Sequence, residues 1–153
     1  MGVSDPRVNT LRLHRLPAVA AALGLMALVH LSLGPQTLAA PPLDEEQARI
    51  LVEAVESASA IDLYNARCRS DNSGRFTDNL NKALVGRLRI TVLTIQDDLF
   101  PDRGYRQAQR RMQDEFLKLL GEAGGCAGAK ESGLPERMQA RHRELMRAIE
   151  AMP

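Results

Sequence analysis

Apolar residues recur every three or four positions in four separate stretches of this chain, the spacing of helices that bury one face. The first stretch, about residues 44–68, carries Leu51, Ala54, Val55, Ala58 and Ile61 on one stripe. Asp44 stands before it as an N-cap, and Gln47, three residues on, completes a capping-box pattern. The second, about 77–99, carries Leu80, Leu84, Leu88, Val92, Ile95 and Leu99. Its stretch from Leu88 to Ile95 is rich in β-branched residues, so a strand is the local alternative. The stripe runs on through that stretch, and the pattern predicts a continuous helix. The third, about 105–123, carries Tyr105, Ala108, Met112, Phe116, Leu119 and Leu120, and Gly124-Gly125 supplies a left-handed stop. The fourth, about 134–152, opens on Leu134-Pro135 and carries Met138, His142, Leu145, Met146, Ile149 and Met152.

Turn-forming residues separate these stretches: Arg69 to Gly74, and Phe100 to Gly104. Four amphipathic helices joined by short connections predict an all-α domain, an antiparallel four-helix bundle over residues 40–153. Aromatic residues make up only 3% of the chain, which suits a helical core of Leu, Ile, Val, Ala and Met.

The pattern before residue 40 is different. Arg7, Arg12 and Arg15 precede Leu16–Gly34, which carries no formal charge and is mostly apolar. Gly34-Pro35 then breaks the run, and small residues lead to Ala39 and Ala40. This is the tripartite form of a secretory signal peptide, spanning 1–39 with cleavage after Ala39 or Ala40. The competing reading is an uncleaved membrane anchor, since the apolar run approaches the length of about 20 residues that spans a bilayer. Loss of Arg7, Arg12, Arg15 and Asp5 with the leader turns the formal charge from +1 to −1. That balance argues against a nucleic-acid partner, which requires a basic face. It also gives no stable membrane association to the cleaved chain.

Export changes the meaning of the two cysteines. An even count in an oxidising compartment predicts a disulfide between Cys68 and Cys126. In an up-down-up-down bundle both fall at one pole, where a bridge is feasible. The expected location is periplasmic or secreted.

Catalytic and metal motifs are missing. His14 and His30 belong to the leader, leaving His142 as the sole histidine of the remaining chain. No H-E-x-x-H, haem-attachment or phosphate-loop pattern occurs. Asp71-Asn72-Ser73-Gly74 has its glycine too early for a calcium loop. No metal and no cofactor is expected. The charges of the third helix fall into i,i+4 pairs such as Arg111–Glu115, a solvated face. Polar residues on apolar stripes are more informative. Asp62 and Asn65 fall on the first stripe, His142 on the fourth, and Arg87 beside the second. Counting 1.5 Å of rise per residue from the ends of each helix puts them in one layer. They are expected to form a polar cluster, either an internal network fixing helix register or a small ligand pocket. Ile90 and Leu93 lie on the back of the second helix and form a candidate interface.

Two functions follow from these features. The first is a non-enzymatic exported module that is chaperone-like, an inhibitor or an assembly factor, with a protein partner or a second copy of itself. The second is a small-molecule or cofactor binder, or an enzyme, using the cluster around His142.

Overall fold

A computed structural model describes residues 43–102 and 104–153, and the leader with its cleavage positions lies outside them. The described residues form six helices and no strand: α1 Glu45–Arg69, α2 Arg75–Leu88, α3 Val92–Asp98, α4 Tyr105–Glu122, α5 Gly125–Glu131 and α6 Leu134–Glu150. The all-helical prediction holds, and one of the four expected elements and one connection need correction.

The first correction is the stretch 77–99, which is two helices. α2 stops where Arg89 takes a left-handed conformation, φ 60°. Thr91 is extended, and its hydroxyl accepts the Thr94 N–H to start α3. The Asn81 side chain of α2 accepts the Val92 N–H at 3.0 Å. β-Branched residues have weak helix propensity, and here Ile90 and Thr91 occupy the break. The apolar stripe crosses it because Leu84 of α2 and Val92 and Ile95 of α3 all turn into the same core. Periodicity alone therefore could not reveal the interruption. The second correction is the segment after Gly124, which is the short helix α5. Gly128 allows its close approach to α4, since a Cβ there would lie 2.0 Å from the Ala123 carbonyl oxygen.

α1 is the central helix and packs against α2, α3, α4 and α6. Its start matches the capping-box prediction, with the Gln47 N–H donating to Asp44 and the Asp44 N–H to Gln47. α2 and α6 run back along α1, and α4 runs with it. Asp62 meets the start of α2, Glu53 meets Arg141 of α6, and Glu56 meets Arg111 of α4. One core cluster gathers Leu51, Val55, Leu84, Ile95, Phe100 and Ile149. The other gathers Tyr64, Phe116, Leu120, Ala129 and Leu134 beside the disulfide. That disulfide joins Cys68 in the last turn of α1 to Cys126 in the first turn of α5, with Cα atoms 5.5 Å apart. It closes 58 residues of chain, and chain entropy makes such a link worth about 4 kcal/mol.

Four helices follow a glycine N-cap that has no side chain to offer: Gly74, Gly104, Gly124 and Gly133. Two of them take their caps from other helices. Asp62 of α1 accepts the Phe76 and Thr77 N–H groups at 3.1 and 2.8 Å. Asp97 of α3 accepts the Tyr105 N–H at 2.8 Å. Helix starts leave four N–H groups unpaired, so these carboxylates set tertiary position and local capping at once.

Candidate functional site: the groove between α4 and α6

α4 and α6 both lie on α1 but do not pack extensively on each other. The seam between them is a groove of about 440 Å³, within the usual size range of ligand sites. Ala60 of α1, Met112, Phe116 and Leu119 of α4, and Met138 and Leu145 of α6 give it an apolar lining. The sequence pattern places the α4 and α6 residues on inward stripes, though not Ala60, and most are partly or fully buried there. Leu119 is different: it is 38% exposed, at the lip. Leu117 beside it is also exposed. The signal available in the sequence was the width of the α4 stripe, where Leu117, Leu119 and Leu120 span more of the surface than one neighbour covers.

Charged residues rim the groove: Glu53, Glu56, Glu115, Arg137 and Arg141. The carboxylates are all engaged. Glu53 pairs with Arg49 and Arg141. Arg111 bridges Glu56 and Glu115 at 2.8 and 3.0 Å and also reaches Asp102 at 2.8 Å. Burial opposes the Arg111 charge, but the bonds to Glu56 and Glu115 outweigh it and raise its pKa. Hydrogen bonds donated to Glu53 and Glu144 likewise raise that of Arg141. Arg137 stands apart. Its guanidinium donates to the Ser132 carbonyl, and it pairs with no carboxylate among the described residues.

The expected polar cluster is placed differently. Asp62 is half-buried and occupied with capping α2. Asn65, one turn further along α1, is buried, and its carbonyl receives the Ser70 and Asp71 N–H groups that close the helix. His142 is buried beneath the edge of the Phe76 ring, with centroids 5.6 Å apart, and its Nδ1 has no hydrogen-bond partner. Burial pushes its pKa below the ordinary value, against the smaller opposing effect of the Asp62 charge. It is therefore a neutral imidazole at pH 7. Arg87 does not join these three. Its Nε donates to the Met152 carbonyl at 2.9 Å, ten residues beyond His142 on the α6 side. That separation is about 15 Å of helical rise. Counting from helix ends puts the start of α2 level with the end of α1, whereas Phe76 and Thr77 lie beside Asp62. Residues 70–74 fold back along α1, so α2 begins at the level of Asp62 and ends correspondingly lower.

Ile90 and Leu93 also separate. Ile90 lies in the break and packs on the main core, whereas Leu93 is 51% exposed on α3. They share no helix face, because the helix that was to carry both is interrupted.

Among the described residues no group of three or more His, Cys, Asp or Glu is placed to hold a metal ion. No described helix is long and apolar enough to cross a membrane. Comparison with protein families, characterised proteins and solved structures finds no match to the chain.

Proposed function

We propose that this chain is an exported, non-enzymatic binding module whose contact surface is the groove between α4 and α6. The observation that carries this reading is the groove itself, a largely apolar trough along the seam where α4 and α6 flank α1 without packing extensively on each other. Apolar clefts of this volume with polar groups at the rim are the usual place for a bound molecule or a partner's side chains. In this reading the signal peptide 1–39 is removed after Ala39 or Ala40, and the protein acts in the periplasm or outside the cell. The Cys68–Cys126 disulfide supports such an oxidising location. The four longer helices act as an antiparallel bundle, with α3 and α5 as its connections. Met112 and Met138 suit adaptable recognition, because thioether side chains repack readily.

The reading as an enzyme or cofactor binder around His142 has less support. His142 is buried, 6% exposed, and is not among the residues that line the groove. Asp62 is committed to backbone N–H groups. The test is binding by Leu119→Glu against Asp62→Asn in pull-downs of the oxidised protein from its own compartment. Loss with Leu119→Glu alone supports the groove. Loss with Asp62→Asn alone, in a folded protein, sinks the groove reading and returns attention to the cluster.

A further inference from the structure

The floor and rim of the groove carry an excess of negative charge, which identifies the chemistry of its occupant, given that it is the binding surface. The floor is one stripe of α1: Glu53, Glu56, Ser57 and Ala60 stand at i, i+3, i+4 and i+7, and all line the groove. That stripe covers about 10 Å of helical rise. The apolar walls, from Met112 to Leu119 on α4 and from Met138 to Leu145 on α6, have the same length. The trough is therefore acidic along half its floor and apolar along both sides. Ion pairs tie Arg49, Arg111 and Arg141 to six carboxylates in and around it. Arg137 is the fourth guanidinium of the rim. Six carboxylates against four guanidiniums leave two negative charges in excess among the described residues. These carboxylates also have room for another donor. The Arg111 bonds to Glu56 and Glu115 both end on Oε1, and an ionised carboxylate offers about four acceptor sites.

We propose that the occupant is a basic amphipathic helix of a partner protein, with aliphatic anchors between the two walls and a lysine or arginine on the carboxylates of Glu56 and Glu115. Anchors at i, i+3 or i+4, and i+7 of a helix span the length that the walls offer. The anchors supply the affinity, and the charge of the rim sets preference between partners and makes it depend on salt. The experiment uses purified, oxidised, full-length protein and two fluorescent helical peptides of about 18 residues, a length that favours helix. Both carry leucine at i, i+3, i+4 and i+7, and they differ only in one flanking residue, Lys or Glu. Dodecyltrimethylammonium, a cationic amphiphile with no helix, is tested in parallel, and self-association is followed by sedimentation.

The Lys peptide is expected to bind about fivefold more tightly than the Glu peptide, the upper range for an exposed ion pair, and the gap is expected to narrow as salt is added. Glu115→Gln is expected to narrow it and Arg137→Gln to widen it. Both side chains are exposed, so neither change threatens the fold. Leu119→Gln, which alters no charge, is expected to weaken both peptides alike. Equal binding of the two peptides, a preference for Glu, or a Lys preference that neither charge variant moves overturns the proposal. Where Leu119→Gln still weakens binding in those cases, the groove stands as the binding surface. Binding of dodecyltrimethylammonium alone, weakened by Leu119→Gln, overturns the helical partner and leaves the groove. Self-association blocked by Leu119→Gln does the same in favour of a second copy. Peptide binding untouched by Leu119→Gln, or no binding by any probe and no self-association, overturns both the proposal and the groove.

Discussion

The Asp62 carboxylate of α1 caps α2 through the backbone N–H of Thr77, fifteen residues further along the chain, at 2.8 Å. With the companion bond from Phe76 it fixes where α2 begins along α1. Replacement by alanine leaves two N–H groups of the first turn without this partner. A loss of about 1–2 kcal/mol is expected on denaturant unfolding, the scale of a lost N-cap. Faster hydrogen exchange at Phe76 and Thr77 is expected with it. An Asp62→Ala protein of unchanged stability would show that Gly74 suffices as a cap.

The break between α2 and α3 gives a prediction whose sign is diagnostic. Arg89 holds a left-handed φ of 60°, a conformation costly to a residue with a Cβ. Arg89→Gly is expected to stabilise the protein, by up to about 1 kcal/mol after glycine's own entropic cost. In a continuous helix the same change would destabilise by about 1 kcal/mol. Thermal unfolding of the single variant distinguishes the two.

His142 supplies the pH dependence. Its folded-state pKa lies below the ordinary 6.5 because burial disfavours its charge. The unfolded chain therefore binds a proton near pH 6.5 that the folded chain refuses. The neutral histidine's contribution is complete above that value and is lost as pH falls from about 6.5 toward the lowered folded value. His142→Leu removes this slope. It also removes the unpartnered Nδ1, so stability at pH 7 is expected to stay within about 1 kcal/mol. A His142→Leu protein with an unchanged acid slope would assign the pH dependence to other groups.

Reduction of Cys68–Cys126, or its replacement by a serine pair, is expected to cost about 4 kcal/mol. The bridge ties α5, and through it the ends of α4 and α6, to the last turn of α1. Because that figure is an entropy of the unfolded chain, the loss is expected in global stability, read by denaturant unfolding, with extra local opening around Tyr64, Phe116 and Leu134 read by exchange. Unchanged global stability on reduction would contradict it.

Much of the fold was legible in the sequence because its signals were local. Asp44 and Gln47 announced the start of α1, Gly124 the end of α4, and Pro135 the start of α6. The cysteine pair was legible from its count and from the expected export. The break at Arg89 was not, because two helices share one apolar stripe across it. Neither was the height of α2, which is set by Asp62 reaching another helix rather than by any residue near Arg75. The same slip carried Arg87 into a cluster it does not join. The groove was illegible for a related reason. Periodicity shows that Met112, Phe116 and Met138 face inward, and it says nothing about whether the facing helices meet.

Leu119 at the groove's lip and Leu93 on α3 are the two exposed leucines that separate the competing surfaces. Photo-cross-linking from each, in the cell that makes the protein, tests the groove most directly. A discrete adduct from Leu119, with none from Leu93, is the predicted result. A discrete adduct from Leu93 with none from Leu119 would contradict it and move the contact surface to α3.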